Sequence, residues 1–118
     1  MRTELFQIGT IPAVLYGESA GQGYVFLHGQ MGCKEEAEAF AQVVCPKGYQ
    51  VLSIDLPGHG ARQERGEELL PWTAVPDIRA ARDWAERHWK AVSLRATSIG
   101  AYFAMLAFPT PERALLVS

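Results

Sequence analysis

Apolar and polar positions alternate or cluster along this chain with two periods. Thr3–Ile8 and residues 13–16 read as two strands of a hairpin, with residues 9–12 (GTIP) between them. A Gly/Ser-rich stretch, 17–23, leads to Tyr24-Val25-Phe26-Leu27. Four apolar residues in succession without alternation suggest a strand buried on both faces. Residues 33–45 (CKEEAEAFAQVVC) place Ala37, Phe40, Ala41 and Val44 at helical spacing. Glu35, Glu36 and Glu38 fall in the first turns, where the helix dipole favours negative charge, and Pro46 and Gly48 follow as stop signals. A second buried-type strand spans Gln50–Ile54. Residues 61–75 read as a charged surface loop. Pro76 then opens a helix reaching about Trp89, with Ile78, Ala81, Trp84, Ala85 and His88 on its apolar face. A strand at 92–96, a helix at 99–108 stopped by Pro109 and Pro111, and a strand at 113–118 complete the chain.

Strands and helices that alternate after an opening hairpin imply an α/β fold: a mostly parallel sheet with helices on both faces. The 118 residues suit a single domain, 1–118, and 48% hydrophobic residues allow a buried core. Eleven basic and thirteen acidic residues are interspersed, leaving a net charge of −2 and no basic face for a nucleic acid. No apolar run approaches the roughly 20 residues that cross a bilayer. The first residues lack the continuous apolar core of a signal peptide. Cys33 and Cys45 lie twelve residues apart. Along a helix that separation is about 18 Å, beyond the roughly 7 Å limit between Cα atoms for a disulfide. Free thiols fit a reducing cytoplasm. Neither cysteine has a His or Cys beside it at ligand spacing, so no metal site is expected.

In a sheet of this kind chemistry gathers at the carboxyl ends of the strands. Three stretches fall there: HGQMG at 28–32, DLPGHG at 55–60 and ATSIG at 96–100. In the last, Ser98 stands between strand and helix, with the small Ala96 and Gly100 two positions to either side, as a tight corner demands. A serine so placed has its hydroxyl lifted from the sheet, and the Ile99 amide at the helix start faces whatever that oxygen binds. A second donor, the amide of Gln30, would come from the loop after the 24–27 strand. The plainer reading of Ser98 is a helix N-cap, and A-x-S-x-G alone is a weak pattern. The other two stretches, in order and at strand ends, tip the balance towards a nucleophile.

The ordered set resembles the α/β-hydrolase family of serine hydrolases, whose nucleophile elbow is G-x-S-x-G; Ala96 here replaces the first glycine. The resemblance implies Ser98 as nucleophile, the Gln30 and Ile99 amides as oxyanion hole, and an esterase-like acyl-enzyme mechanism on a small-molecule ester. Acyl transfer of this kind needs no cofactor, and the charge and composition already speak against a nucleic-acid or membrane partner. Asp55 and His59 are then supporting residues of the loop, and His28 and Gly29 orient the oxyanion loop. His88 reads as a partly packed helix residue, Trp72, Trp84 and Trp89 as packing residues, and 62–68 as a solvated run.

The family's triad runs Ser, then acid, then His along the chain. All three histidines here precede Ser98. The sequence therefore reads as the N-terminal portion of a hydrolase, truncated before its acid and base. The 113–118 strand would be an apolar edge open to a dimer or to a complementing C-terminal half. The alternative is a non-catalytic remnant or a binding module that keeps the pocket without turnover.

Overall fold

The two-residue turn Gly9-Thr10 closes the opening hairpin because Gly9 takes a positive φ of 63° at its first position, where an L side chain would be strained. Its strands are β1 (Thr3–Ile8) and β2 (Ile11–Tyr16), paired Ile8 to Ile11 through Thr3 to Tyr16. The computed structural model describes residues 1–97, 99–107 and 114–117. Within them follow β3 (Gln22–Leu27), α1 (Ala37–Val44), β4 (Gln50–Ile54), α2 (Pro71–His88), β5 (Ala91–Thr97), α3 (Ile99–Ala107) and β6 (Ala114–Val117). Short 3₁₀ turns at Lys34–Glu36, Cys45–Lys47 and Gly60–Arg65 join them.

The strands lie in the order β1-β2-β4-β3-β5-β6. The three pairings among β4, β3, β5 and β6 are parallel, and those of β2 with β1 and with β4 are antiparallel. The sheet is thus mixed rather than mostly parallel. Strand–helix alternation speaks only for strands joined by crossovers. The hairpin instead lays β2 along the outer edge of β4, with Asp55 N donating to Pro12 O at 3.0 Å to extend that seam.

Helices cover both faces. On one, α1 buries Ala37, Ala41 and Val44 against Val14, Tyr16, Phe26 and Val51. On the other, α2 and α3 bury Ile78, Ala81, Ala85, Phe103 and Ala104 against Val25, Leu27, Leu52, Ile54 and Leu94. Each large apolar side chain so buried stabilises the fold by about 1.5–3 kcal/mol. Gly23 has no side chain because the Trp89 ring occupies the space: a Cβ there would stand 2.5 Å from the ring.

Several local expectations change. The second helix begins at Pro71, not Pro76, and Pro76 sits inside it. Thr73 Oγ1 accepts from Leu70 N at 3.0 Å and Ala74 N donates to Leu70 O at 2.8 Å, so the first turn is capped ahead of the proline. Burial of Ala74, Val75 and Ile78 carries the helix across the amide that Pro76 lacks. The segment 33–45 is α-helical only from Ala37, after a 3₁₀ turn. Of the three tryptophans, Trp84 and Trp89 pack edge to face at 5.7 Å, whereas Trp72 is 73% exposed. His88 is exposed too, stacked on Trp84 at 3.8 Å with Nδ1 against Trp84 O.

Candidate active site

Register sets the site. Leu27 at the end of β3 pairs with Ile54 of β4 on one side and Ala96 of β5 on the other. The three strands therefore end nearly level, so that the stretches 28–32 and 55–60 follow side by side next to the end of β5. β5 ends at Thr97 and α3 begins at Ile99. Ser98, the residue between them in sequence, lies outside the described residues. Ala96 is fully buried in the core. At Gly100 a Cβ would stand 2.7 Å from the His28 carbonyl oxygen, so α3 enters against the loop that follows β3, and only glycine leaves room for that approach.

His28 is fully buried at the start of that loop. Its Nε2 accepts from Leu56 N at 3.0 Å. That acceptor role leaves the proton on Nδ1, which donates to Gly29 O at 2.7 Å. Burial is the main reason its pKa falls below the usual histidine value; the neighbouring His59 adds to the fall, and the Gly29 hydrogen bond opposes it. His28 is thus a neutral strut between the loops after β3 and β4.

Beyond it the chain turns. Gly32 N donates to Gly29 O at 3.1 Å, which places Gln30 and Met31 at the two central positions. Gln30 is exposed. Met31 takes a φ of 66°, a type II pattern that usually calls for glycine or asparagine. Past the turn, Lys34 binds Asp55 twice: its amide donates to Oδ1 at 2.8 Å and its Nζ to Oδ2 at 2.9 Å. Ser53 Oγ donates to Lys34 O at 2.7 Å. Burial alone would lower the Lys34 pKa, but the Asp55 and Glu35 carboxylates outweigh it and the net shift is upward.

Asp55 is completely buried and also accepts from Ala61 N at 3.0 Å. Gly60, with a φ of 56°, closes the DLPGHG turn over the carboxylate; a Cβ there would stand 2.1 Å from Oδ1. His59 N donates to Leu56 O at 3.0 Å, and its Nδ1 lies 2.9 Å from Pro57 O, with its ring 5.2 Å from that of His28. The 62–68 run is not all solvated. Arg62 is buried, donates through Nη1 to Asp55 O at 3.1 Å and to Asp77 at 2.7 Å, and is paired with Glu67. These contacts, with Glu67 first, raise the Arg62 pKa and lower that of Glu67.

Sequence reading singled out His28, Gly29, Gln30, Asp55, His59, Ala96, Ile99 and Gly100, and the described ones meet at this end of the sheet. It missed Lys34, Ser53, Arg62 and the strain at Met31. Only the last had a legible signal: Gly29 and Gly32, three apart, bracket a turn whose third position is residue 31. Among the described residues no group of three or more His, Cys, Asp and Glu is placed to hold a metal ion. No helix among them is long and apolar enough to cross a membrane.

Strand order, faces and strand ends together define an α/β-hydrolase fold. The chain superposes on TT1662 from Thermus thermophilus with a TM-score of 0.81 and 24% identity, over 99% of this chain and 57% of that one. It superposes on epoxide hydrolase VrEH1 from Vigna radiata with a TM-score of 0.72 and 20% identity, covering 99% of this chain and 39% of that one. For Est1E from Butyrivibrio proteoclasticus, solved with ferulic acid bound, the values are 0.69 and 20%, over 89% and 46%. No protein-family model and no curated protein matches the sequence. The chain spans little more than half of the length of TT1662 and less than half of the two others.

Proposed function

We propose that this chain is the nucleophile-bearing part of a serine hydrolase of esterase type. The observation that carries the reading is the junction of β5 and α3: a strand ending at Thr97, a helix starting at Ile99, and Gly100 pressed against the His28 carbonyl beside the HGQMG loop. Ser98 is the residue at that junction. In the proposed reaction its Oγ attacks the ester carbonyl and a histidine accepts the hydroxyl proton. The Gln30 and Ile99 amides hold the oxyanion, a contribution of about 3 kcal/mol per donor. The alcohol leaves with the proton, and water releases the acid from the acyl-serine.

The three histidines of the chain are otherwise engaged. His28 is locked by two hydrogen bonds, His59 is turned onto Pro57 O, and His88 is stacked on Trp84. We assign base and acid to polypeptide corresponding to the part of the hydrolase neighbours that this chain does not span. Both cysteines are free, in keeping with a cytoplasmic enzyme. The test is labelling of the full-length protein with a fluorophosphonate. Ser98 is expected to carry the label and Ser98→Ala to lose it; a folded protein that stays unlabelled refutes the assignment.

A further inference from the structure

Among the described residues one buried side-chain polar atom lacks a hydrogen-bond partner, the Nε of Arg95. Arg95 joins none of the ion pairs among them either. The two buried cations are matched: Lys34 lies against Asp55, and Arg62 against Glu67 and Asp77. Taking a guanidinium N–H from water without giving it an acceptor is costly, so the exception at Arg95 calls for a partner.

The place of Arg95 in the sheet says where that partner lies. Its neighbours on β5, Leu94 and Ala96, belong to the core under α2 and α3, so alternation turns Arg95 to the opposite face. There its guanidinium carbon stands over the Phe40 ring of α1, 5.2 Å from the ring centre. That contact favours the cation but accepts no N–H, and the donors remain to be satisfied. Among the described residues α1 is the one helix on this face, and the core it closes is built from β2, β3 and β4. Six strands spaced about 4.8 Å apart span about 24 Å, whereas a helix is about 10–12 Å across. The β5 and β6 end of this face therefore has room for a second element. The chain spans 57% of TT1662, so the fold has further polypeptide with which to fill it.

We propose that a carboxylate-bearing segment of the polypeptide that this chain does not span docks on this face over β5, with Arg95 as its anchor. An Asp or Glu of that segment accepts from Nε and one Nη, the paired geometry a guanidinium favours. The contact ties the part assigned the base and acid to the strand that leads to Ser98. The proposal rests on the fold and not on the serine chemistry. The test uses the full-length protein and has two readouts. In the wild type, nitrogen-15 NMR is expected to show the Arg95 Nε–H exchanging more slowly than that of the exposed Arg87, with a shift that follows a carboxylate titration on acidification. In Arg95→Lys, a water-soluble carbodiimide is expected to join position 95 to an Asp or Glu beyond residue 118 of the same chain, identified by mass spectrometry. An Nε–H that exchanges as freely as Arg87, or is indifferent to acid, overturns the proposal. So does a crosslink to a carboxylate within residues 1–118, or to a second copy in a mixture of light and nitrogen-15-labelled protein. A Ser98 that takes no fluorophosphonate refutes the serine reading and leaves this anchor standing.

Discussion

Replacing Lys34 with methionine tests whether a buried ion pair holds the two site loops together. Lys34 Nζ lies 2.9 Å from Asp55 Oδ2 and 3.1 Å from Glu35 Oε2. The Glu35 contact is half exposed and contributes at most about 1 kcal/mol. The Asp55 contact is different, because that carboxylate has no solvent exposure. At an effective dielectric constant of about 20, opposite charges at this separation attract by roughly 5–6 kcal/mol. Part of that is offset in the wild type by the cost of desolvating the ammonium. In the variant Asp55 keeps two backbone donors, Lys34 N at 2.8 Å and Ala61 N at 3.0 Å, and methionine fills most of the lysine stem. The net loss is then about 3 kcal/mol, the low end for breaking a buried pair. For a domain of this size that lowers Tm by about 12 °C. Urea unfolding followed by tryptophan fluorescence measures it, with Glu35→Gln as a control that shifts by less than about 1 kcal/mol. The raised Lys34 pKa fixes the pH window. The pair's contribution is fully present below the unfolded lysine value of about 10.4 and is lost as pH climbs through the higher folded value. A Lys34→Met protein within about 1 kcal/mol of wild type at pH 7 would show that the pair holds nothing.

Two further outcomes follow from the same loops. Gly60→Ala forces a Cβ to within 2.1 Å of Asp55 Oδ1 and strains a φ of 56°, so a loss of about 2–4 kcal/mol is expected by urea unfolding; a near-neutral result would mean the carboxylate moves aside freely. His28, buried as the neutral form, has a folded pKa below its unfolded value, so its contribution is complete above about pH 6.5 and is lost as pH falls towards the folded value. Stability should fall by up to about 1.4 kcal/mol per pH unit below 6.5. The component due to His28 should vanish in His28→Gln, read as the difference in urea midpoint between pH 7 and pH 5.5.

Much of the fold could be read from periodicity, because the forces behind it are local. The unbroken apolar run at 24–27 and the buried-type strand expected at 50–54 became β3 and β4, and the spacing of Ala37, Ala41 and Val44 became the buried face of α1. Small residues at 96 and 100 foretold a crowded corner, and a Cβ on Gly100 would stand 2.7 Å from the His28 carbonyl oxygen. What escaped were contacts between residues distant in the chain. Nothing near Lys34 announces a carboxylate 21 positions away, and Arg62 sat in a run whose composition resembles any solvated loop. Pro76 reads as a helix start when taken alone, yet the capped turn before it and the core beneath it carry α2 through it.

The sequence by itself determined most of the strands and helices, though not their exact starts, and which three stretches carry the glycines, His28, His59 and Ser98, since side-chain size and apolar spacing act over a few residues. Only the tertiary structure decided that the hairpin packs antiparallel on β4, that Asp55 is neutralised by Lys34, and that Met31 is held in a strained turn. Those outcomes depend on which surfaces meet once the chain is compact, where a buried charge must find its partner and the backbone must follow the packing.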